Sequence, residues 1–348
     1  MEEFIMPITF TGGPECWTTF YDGKSRSFAK QTSAAYGQKG GEWPGLDRIA
    51  IDGPPDLPDN HSRAAFALAS RSGPGVLVSH CVGPLEPVIA ARQLASLDQL
   101  GNGRMAIRIF PGGEPGPSAN WEWLDHQKSI ARADEYLVLL KRLWLNEKPF
   151  DHEGPYYSIR NGFCGVKPRQ SPLIPLHMGG RSGLAVKLAS KHADIFTLPP
   201  GTISETRSMM MRVREAAANF GRADKIGFSF PVMVVLGETR DEAWRRAERN
   251  PALPDRGRPE AMRLIGTPEE IARALLDYHA LGIKEFVVHG LHAAKSLALF
   301  THRLVPMVRR SAARARAGDH AGAIDAGVPA GPAGIAGWRG LRQKAWRT

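Results

Sequence analysis

The stretch GVLVSHCVGPLEPVIAARQLASLDQLGNGRMAIRIF, residues 75–110, decides the architecture. Its opening run, Gly75–Cys81, is the most hydrophobic of the chain and of strand length, and reads as a buried strand. Leu85–Leu100 carries apolar residues at spacings of three and four, the pattern of a helix with one buried face. Met105–Phe110 is again a short apolar run. Strand, helix and strand at these lengths make a parallel βαβ unit.

The same alternation extends in both directions. Upstream, Phe4–Phe10 reads as a strand, with Pro7 marking a bulge or an early end. Ser27–Lys39 reads as a helix, Leu46–Asp52 as a strand and Ser62–Ser72 as a helix. Downstream, Ala131–Trp144 is helical, and Asn146–Gln170, holding FDHEGPYYSI, reads as a small hairpin excursion. Pro175–Met178 leads through GGRSG into a helix to Lys191. Asp194–Leu198, Ile226–Leu236 and Lys284–His289 read as strands. Ser204–Phe220, Arg240–Arg249, Thr267–Leu281 and Ala293–Val308 read as helices, and Asn250–Arg263, rich in Pro and charge, as a linker. Eight strands each followed by a helix, with no duplicated halves, predict an α/β fold of the (β/α)8 TIM-barrel type. Eight regular units over about 300 residues favour closure over a doubly wound sheet. The barrel domain is expected over 1–310. Residues 311–348, an Ala/Gly/Arg-rich stretch of low complexity, are expected to form a disordered tail.

The formal charge of +10 raises the question of nucleic acid, but its distribution argues against that partner. From Arg309 to Thr348 eight basic residues face only Asp319 and Asp325, so that segment carries +6. The remaining surface is mildly basic and suits an anionic cofactor or substrate. Cys16, Cys81 and Cys164 are widely spaced and match neither a metal-ligand pattern nor a disulfide framework, which fits reduced thiols in a cytoplasm. The segment MEEFIMPITF begins acidic and has too short an apolar run for a signal peptide. No apolar stretch approaches a membrane span. The expected location is therefore cytoplasmic.

Barrel enzymes place their chemistry at the C-terminal ends of the strands. Here that rule selects Asp52, His80, Cys81, Arg108, Gly112, Gly113, His177, Gly179, Gly180, His289 and His292. The set contains no carboxylate pair and no Ser-His-Asp arrangement, which favours a cofactor as the carrier of the chemistry. MGGRSGLAVKLAS, residues 178–190, is the best local signal. Two glycines end a strand, and Arg181 and Ser182 open a helix whose free N–H groups and partial positive charge suit a phosphate. Its structural alternative is a strand–turn–helix corner capped by Ser182. His80 also reads as a core histidine, and Cys81 as a small buried hydrophobe. Arg108 lies within an apolar strand, where an unpaired charge is costly, so it is expected to face a pocket or to pair with a carboxylate such as Glu114.

Four ordered blocks resemble the bacterial luciferase-like flavin-dependent monooxygenases, most of all their alkanesulfonate monooxygenase branch. They are PLEPVIAARQLASLDQLGNGRMAIRIFPGGEP (84–115), ARADEYLVLLKRLWLNEKPFDHEGPYYSI (131–159), IPLHMGGRSGLAVKLASKHADIF (174–196) and LIGTPEEIARALLDYHALGIKEFVVHG (264–290). The resemblance implies reduced FMN, supplied by a separate flavin reductase, with its phosphate at Gly179, Gly180, Arg181 and Ser182 and with Gly112 and Gly113 beside it. It implies addition of O2 at the flavin C4a to give a peroxyflavin that oxygenates a small organic substrate. His80, Arg108 and His289 would hold the developing negative charge, and Ser62 and Cys81 are further catalytic candidates. Relatives of this kind are often dimers or tetramers, so a homo-oligomer is expected.

The chain also departs from the pattern. Pro111 stands where relatives have Thr or Ser, and Ser129 and Ile130 where they have Arg and Tyr. Cys81 replaces an Arg, and Ser62 a Cys of the alkanesulfonate enzymes. Pro231 and Met233 fall where those enzymes carry a sulfonate-binding Arg and His, and the lid is cut to Asn250–Arg263. Two other readings follow from the same fold. One is hydride transfer with deazaflavin F420; the other is a non-catalytic barrel subunit.

Overall fold

The computed structural model describes residues 8–13, 45–53, 59–69, 73–112, 124–249, 261–291 and 294–316. Strands β1 (Thr9–Gly12), β2 (Arg48–Ile51), β3 (Gly75–Cys81) and β4 (Met105–Phe110) run parallel, side by side. An antiparallel hairpin follows, β5 (Phe150–Glu153) with β6 (Ser158–Gly162). The parallel sheet resumes with β7 (Leu176–Gly179), β8 (Ile195–Thr197) and β9 (Gly227–Leu236). β9 pairs with β11 (Glu285–His289), and β11 returns to β1. The sheet closes into an eight-stranded parallel barrel, with the hairpin outside it. A further strand, β10 (Met262–Gly266), pairs with Val232–Leu236, beyond the part of β9 that β8 holds.

The helices are α1 (Asn60–Ala69), α2 (Pro87–Leu100), α3 (His126–Leu145), α4 (Gly183–His192), α5 (Ile203–Ala218), α6 (Arg240–Glu248), α7 (Pro268–His279), α8 (Ala294–Leu299) and α9 (Val305–Arg316). A single π turn, Phe300–Leu304, joins the last two. Local chemistry sets their starts. Thr202 and Thr267 form reciprocal capping boxes with Glu205 and Glu270, and Pro268 occupies a first-turn position where its missing N–H costs nothing.

The structure shifts several predicted boundaries. β1 starts at Thr9, the expected strand residues before Ile8 and the helix Ser27–Lys39 lie outside the described residues, and α3 begins five residues before Ala131. The predicted linker Asn250–Arg263 runs into β10, which takes Met262 and Arg263. α9 continues through residue 310 to Arg316, and residues 317–348 are outside the described set.

The two faces of the barrel wall differ. Phe10, Ile49, Val78, Ile107, Phe228 and Phe286 point outward and join the helices in one apolar core. The alternate positions face the lumen, because successive strand residues point to opposite sides. Side-chain contacts across the ring confirm this. Glu285 of β11 lies 3.6 Å from Arg48 of β2 and 3.9 Å from His177 of β7, neither of them a neighbouring strand. Thr11 Oγ1 also donates to Glu285 Oε1 at 2.6 Å. Barrel lumens are usually packed with Val, Ile and Leu; this one holds charge.

The N-terminal end of the barrel is tied by the Asp98–Arg104 turn. Asp98 accepts backbone N–H bonds from Arg169 and Gln170. Arg104 donates to the carbonyls of Leu68, Gly73, Pro74 and Gly101. These residues act in stability, far from the strand ends where ligands bind.

Candidate functional site

At the end of β7, Gly180 has φ +142° and a Cβ there would lie 2.6 Å from Ala185 Cβ. A Cβ on Gly179 would lie 2.8 Å from Thr197 O. Only glycine holds this backbone against its neighbours. Ser182 caps α4, its Oγ accepting from Ala185 N at 3.1 Å. The remaining N–H groups of the first turn are free for a ligand. The sequence did not single out His126, whose Nε2 is 2.9 Å from Ser182 Oγ. It is the first residue of α3, so two helix N-termini converge beside the exposed Arg181. Arg212 of α5 also arrives, donating to Arg181 O at 3.4 Å. Helix dipoles and guanidinium groups so arranged could hold an anion. His126 was missed because the first turn of α3 is polar and lacks apolar spacing; the legible signal was its N-cap, Asp125, which accepts from Lys128 N.

The substituted positions of that region have packing roles. Ser129 and Ile130 are both buried in α3, and Ser129 Oγ donates to Leu124 O. Gly112 (φ +91°) lies against Arg132, whose Nη2 donates to Val82 O. Gly113 and His292 lie outside the described residues.

Arg108 faces the lumen in register with His177. Its guanidinium has no hydrogen bond or ion pair among the described residues, and Nε is sealed from water. Burial lowers its pKa, and the charges of Asp52 and Glu285 work against that shift. His177 is fully buried, with neither ring nitrogen hydrogen-bonded. Burial holds its pKa down to about 4, against the pull of Glu285. His289 follows Glu285 and Val287 on the same face and pairs with Met233.

His80 is elsewhere. Ser79 is the residue paired with Arg108, so His80 takes the opposite face of β3. Tyr136 of α3 lies 2.8 Å from its Nε2, and His61 of α1 lies 3.2 Å from its Nδ1. Gln93 Oε1 lies 3.3 Å from His61 Nδ1. With that carbonyl accepting, each ring donates to the next and Tyr136 donates to His80; the tautomers are assigned from the network. Burial, then His61, lowers the His80 pKa to about 3. The expected trio is therefore divided: Arg108 and His289 share the lumen face, and His80 binds the wall to its helices.

Cys81 and Ser62 line, with His61 and His80, a cleft of about 800 Å³ between α1 and α2. Burial raises the Cys81 thiol pKa, the opposite of thiolate activation. Ser62 is engaged by Asp59, donating from Oγ at 2.5 Å and from N at 3.0 Å. Among the described residues, no three His, Cys, Asp or Glu side chains converge as metal ligands. None of the described helices is long and apolar enough to cross a membrane.

Comparison with known proteins adds the lineage. The luciferase-like monooxygenase profile matches residues 40–285. An FMNH2-dependent dimethylsulfone monooxygenase of Pseudomonas fluorescens (strain Pf0-1) is 26% identical over 299 residues, covering 74% of this chain and 80% of that protein. Among solved structures, a long-chain alkane monooxygenase superposes with a TM-score of 0.74 at 15% identity, over 88% of this chain and 92% of the other. EDTA monooxygenase from Chelativorans sp. BNC1 does so with a TM-score of 0.70 at 19% identity, over 88% and 94%. The structural likenesses speak for the fold, and the profile, which spans most of the closed barrel, for descent: the chain belongs to the luciferase-like monooxygenase family.

Proposed function

We propose that the chain is the oxygenase component of a two-component flavin-dependent monooxygenase, taking reduced FMN from a separate reductase and using O2 to oxygenate a small organic substrate. The observation that supports this reading most is the turn at Gly179–Ser182, where a Cβ on Gly179 would meet Thr197 O and one on Gly180 Ala185 Cβ, so that only glycines let the strand run this closely into the first turn of α4 and its N–H groups. Gly179 and Gly180 keep the backbone clear, Ser182 and the first turn of α4 offer donors, and Arg181 and His126 flank them. Reduced FMN supplies the chemistry of O2 activation and oxygen-atom transfer. The chain's own residues bind, orient and shield.

Arg108 and His289, at the mouth and within the lumen, are the groups for negative charge that develops there. His80 serves by position, holding β3 against α3 through Tyr136. Within the family, the resemblance of the four ordered blocks supports a place near the alkanesulfonate branch. Pro231 and Met233, which follow Ser229 on the lumen face of β9, bring no donor to a sulfonate. Assembly as a homodimer or homotetramer in the cytoplasm belongs to the same reading.

Anaerobic titration of the purified protein with FMN, reduced FMN and F420 tests it. Reduced FMN is expected to bind and to support O2 consumption. Tight binding of F420 alone would replace the reading with hydride transfer, and no binding of any of them with a non-catalytic barrel. Arg181→Ala is expected to weaken FMN binding roughly tenfold to a hundredfold, the range for a lost charge-assisted hydrogen bond. Unchanged affinity removes Arg181 from the proposed phosphate site.

A further inference from the structure

One hydrogen-bond chain ties α3, β3, α1 and α2 together. Tyr136 Oη lies 2.8 Å from His80 Nε2, His80 Nδ1 lies 3.2 Å from His61 Nε2, and His61 Nδ1 lies 3.3 Å from Gln93 Oε1. Only one direction satisfies it. Run outward, Tyr136 donates to His80, His80 to His61 and His61 to the Gln93 carbonyl, and every hydrogen of the chain is used. Run inward, the last donor is the Tyr136 hydroxyl, which is buried and has no other partner among the described residues. Tyr157 lies beside it, 5.7 Å between ring centroids, but no hydrogen bond joins the two hydroxyls. A buried donor without an acceptor is the costly choice.

His61 Nε2 is therefore an acceptor, and it is where a proton must go when the ring is charged, since Nδ1 already carries one. The ring is half-buried and lines the cleft between α1 and α2, whereas His80 behind it is buried. Around it stand Asp59 and Ser62 on α1, Arg92 and Gln93 on α2, and His80 and Cys81 on β3, with Tyr136 of α3 behind His80. Burial lowers the His61 pKa, and the Gln93 hydrogen bond and the Asp59 charge oppose that shift. A proton on Nε2 meets the His80 N–H head-on, and His80 can yield only by reversing the chain onto Tyr136. The open cleft gives the His61 ring an easier exit. Long bonds then remain between the first turn of α1 and the strand ends: Asn60 Nδ2 to Ser79 O and Arg63 Nη1 to Asp52 O, both 3.3 Å. We propose that His61 is an acid-operated latch: protonated from the cleft, it leaves His80, frees the first turn of α1 from β3 and widens the cleft toward Cys81. The latch lies apart from Gly179–Ser182 and works on the flavin-free chain.

The experiment follows the full-length, flavin-free protein from about pH 7.5 to about pH 5, the range in which histidines titrate. One readout is hydrogen exchange of residues 60–67, corrected for the intrinsic pH dependence of exchange. The other is labelling of Cys81 by a dipyridyl disulfide, read peptide by peptide to separate it from Cys16 and Cys164. Both are expected to rise roughly threefold or more as pH falls, with one shared midpoint, while exchange of α7 rises less. Nitrogen NMR of the histidine rings at neutral pH is expected to find the proton of His61 and of His80 on Nδ1. These three measurements need no variant, so a poorly folding substitution leaves the test intact. His61→Gln keeps an acceptor for His80 but cannot take the proton, and should abolish the rise; His61→Ala should show the open-state rates at every pH. Gln93→Glu sets a carboxylate against His61 Nδ1 and should move the midpoint up by roughly one pH unit. No rise in either readout, an equal rise in α7, a proton on His80 Nε2 at neutral pH, an undiminished rise in His61→Gln, or an unmoved midpoint in Gln93→Glu each overturns the proposal.

Discussion

Gly180 ties the proposed phosphate site to the absence of one atom. At φ +142°, with Ala185 Cβ 2.6 Å from where its own Cβ would stand, any side chain strains the backbone and crowds α4. Gly180→Ala is expected to destabilise the fold by about 1–3 kcal/mol and to weaken FMN binding, since the turn that aims the N–H groups must shift. Adding Ala185→Gly removes the collision but not the dihedral cost, so it should recover only part of either loss; full recovery, read by thermal melting and flavin titration, would refute the backbone explanation. The glycine turn into α4 and its Ser182 cap were legible in the sequence because glycine runs at a strand end have a conformational cause. The side taken by His80 was not. Gly75–Cys81 is buried at its first six positions, so no polar alternation reveals which residues face the lumen. Only the pairing of Ser79 with Arg108 and the contact of His80 with Tyr136 decide it.

At the scale of elements, the β5–β6 hairpin depends on one carboxylate of α3. Glu135 accepts from Tyr156 N at 3.1 Å, Tyr157 N at 3.0 Å and His152 Nε2 at 2.9 Å. Glu135→Ala leaves these donors unpaired in a half-buried setting and is expected to cost about 2–4 kcal/mol. Glu135→Gln keeps one acceptor and should cost less. Urea unfolding gives the loss, and faster proteolytic cleavage between residues 150 and 162 localises it; an unchanged midpoint would show that packing alone seats the hairpin. Its existence was readable from turn residues, whereas its anchor lies seventeen to twenty-two residues away in sequence from the groups it holds. β3 and β4 were readable to the residue because abrupt glycine and polar boundaries enclose them. β10 escaped because MRLIG is only five residues long and follows a stretch rich in Pro and charge, where composition argues for a linker. It forms because the upper half of β9 presents an unpaired edge beyond β8. The first turn of α3 escaped for a related reason: its start is set by the Asp125 cap rather than by apolar period.

For the molecule as a whole, the two buried histidines determine how the barrel responds to acid. Both are neutral in the folded state: burial lowers the His80 pKa from 6.5 to about 3 and that of His177 from 6.5 to about 4. The unfolded chain takes up protons at these rings below pH 6.5, and the folded chain does not. Their contribution is therefore complete above pH 6.5 and is lost as pH falls toward 4 and then 3. Each ring adds a slope of about 1.4 kcal/mol per pH unit within its window, so the acid limb should be steep. Asp134 behaves differently. Hydrogen bonds from His192 and Lys191 lower its pKa from 3.8 to about 2, so its loss begins only where the histidine windows are closing. Stability measured by urea unfolding is thus expected to start falling below pH 6.5, above the range near pH 4.5 where Glu242, held down to about 2 by its hydrogen bond with Lys295, begins to contribute. His80→Gln lowers stability near pH 7, where its bonds with Tyr136 and His61 are lost; both it and His177→Gln should flatten this limb, and the double variant should flatten it further. A limb of unchanged slope in the double variant would mean that other groups set the acid response, and that the charged interior is less closed to protons than its burial implies.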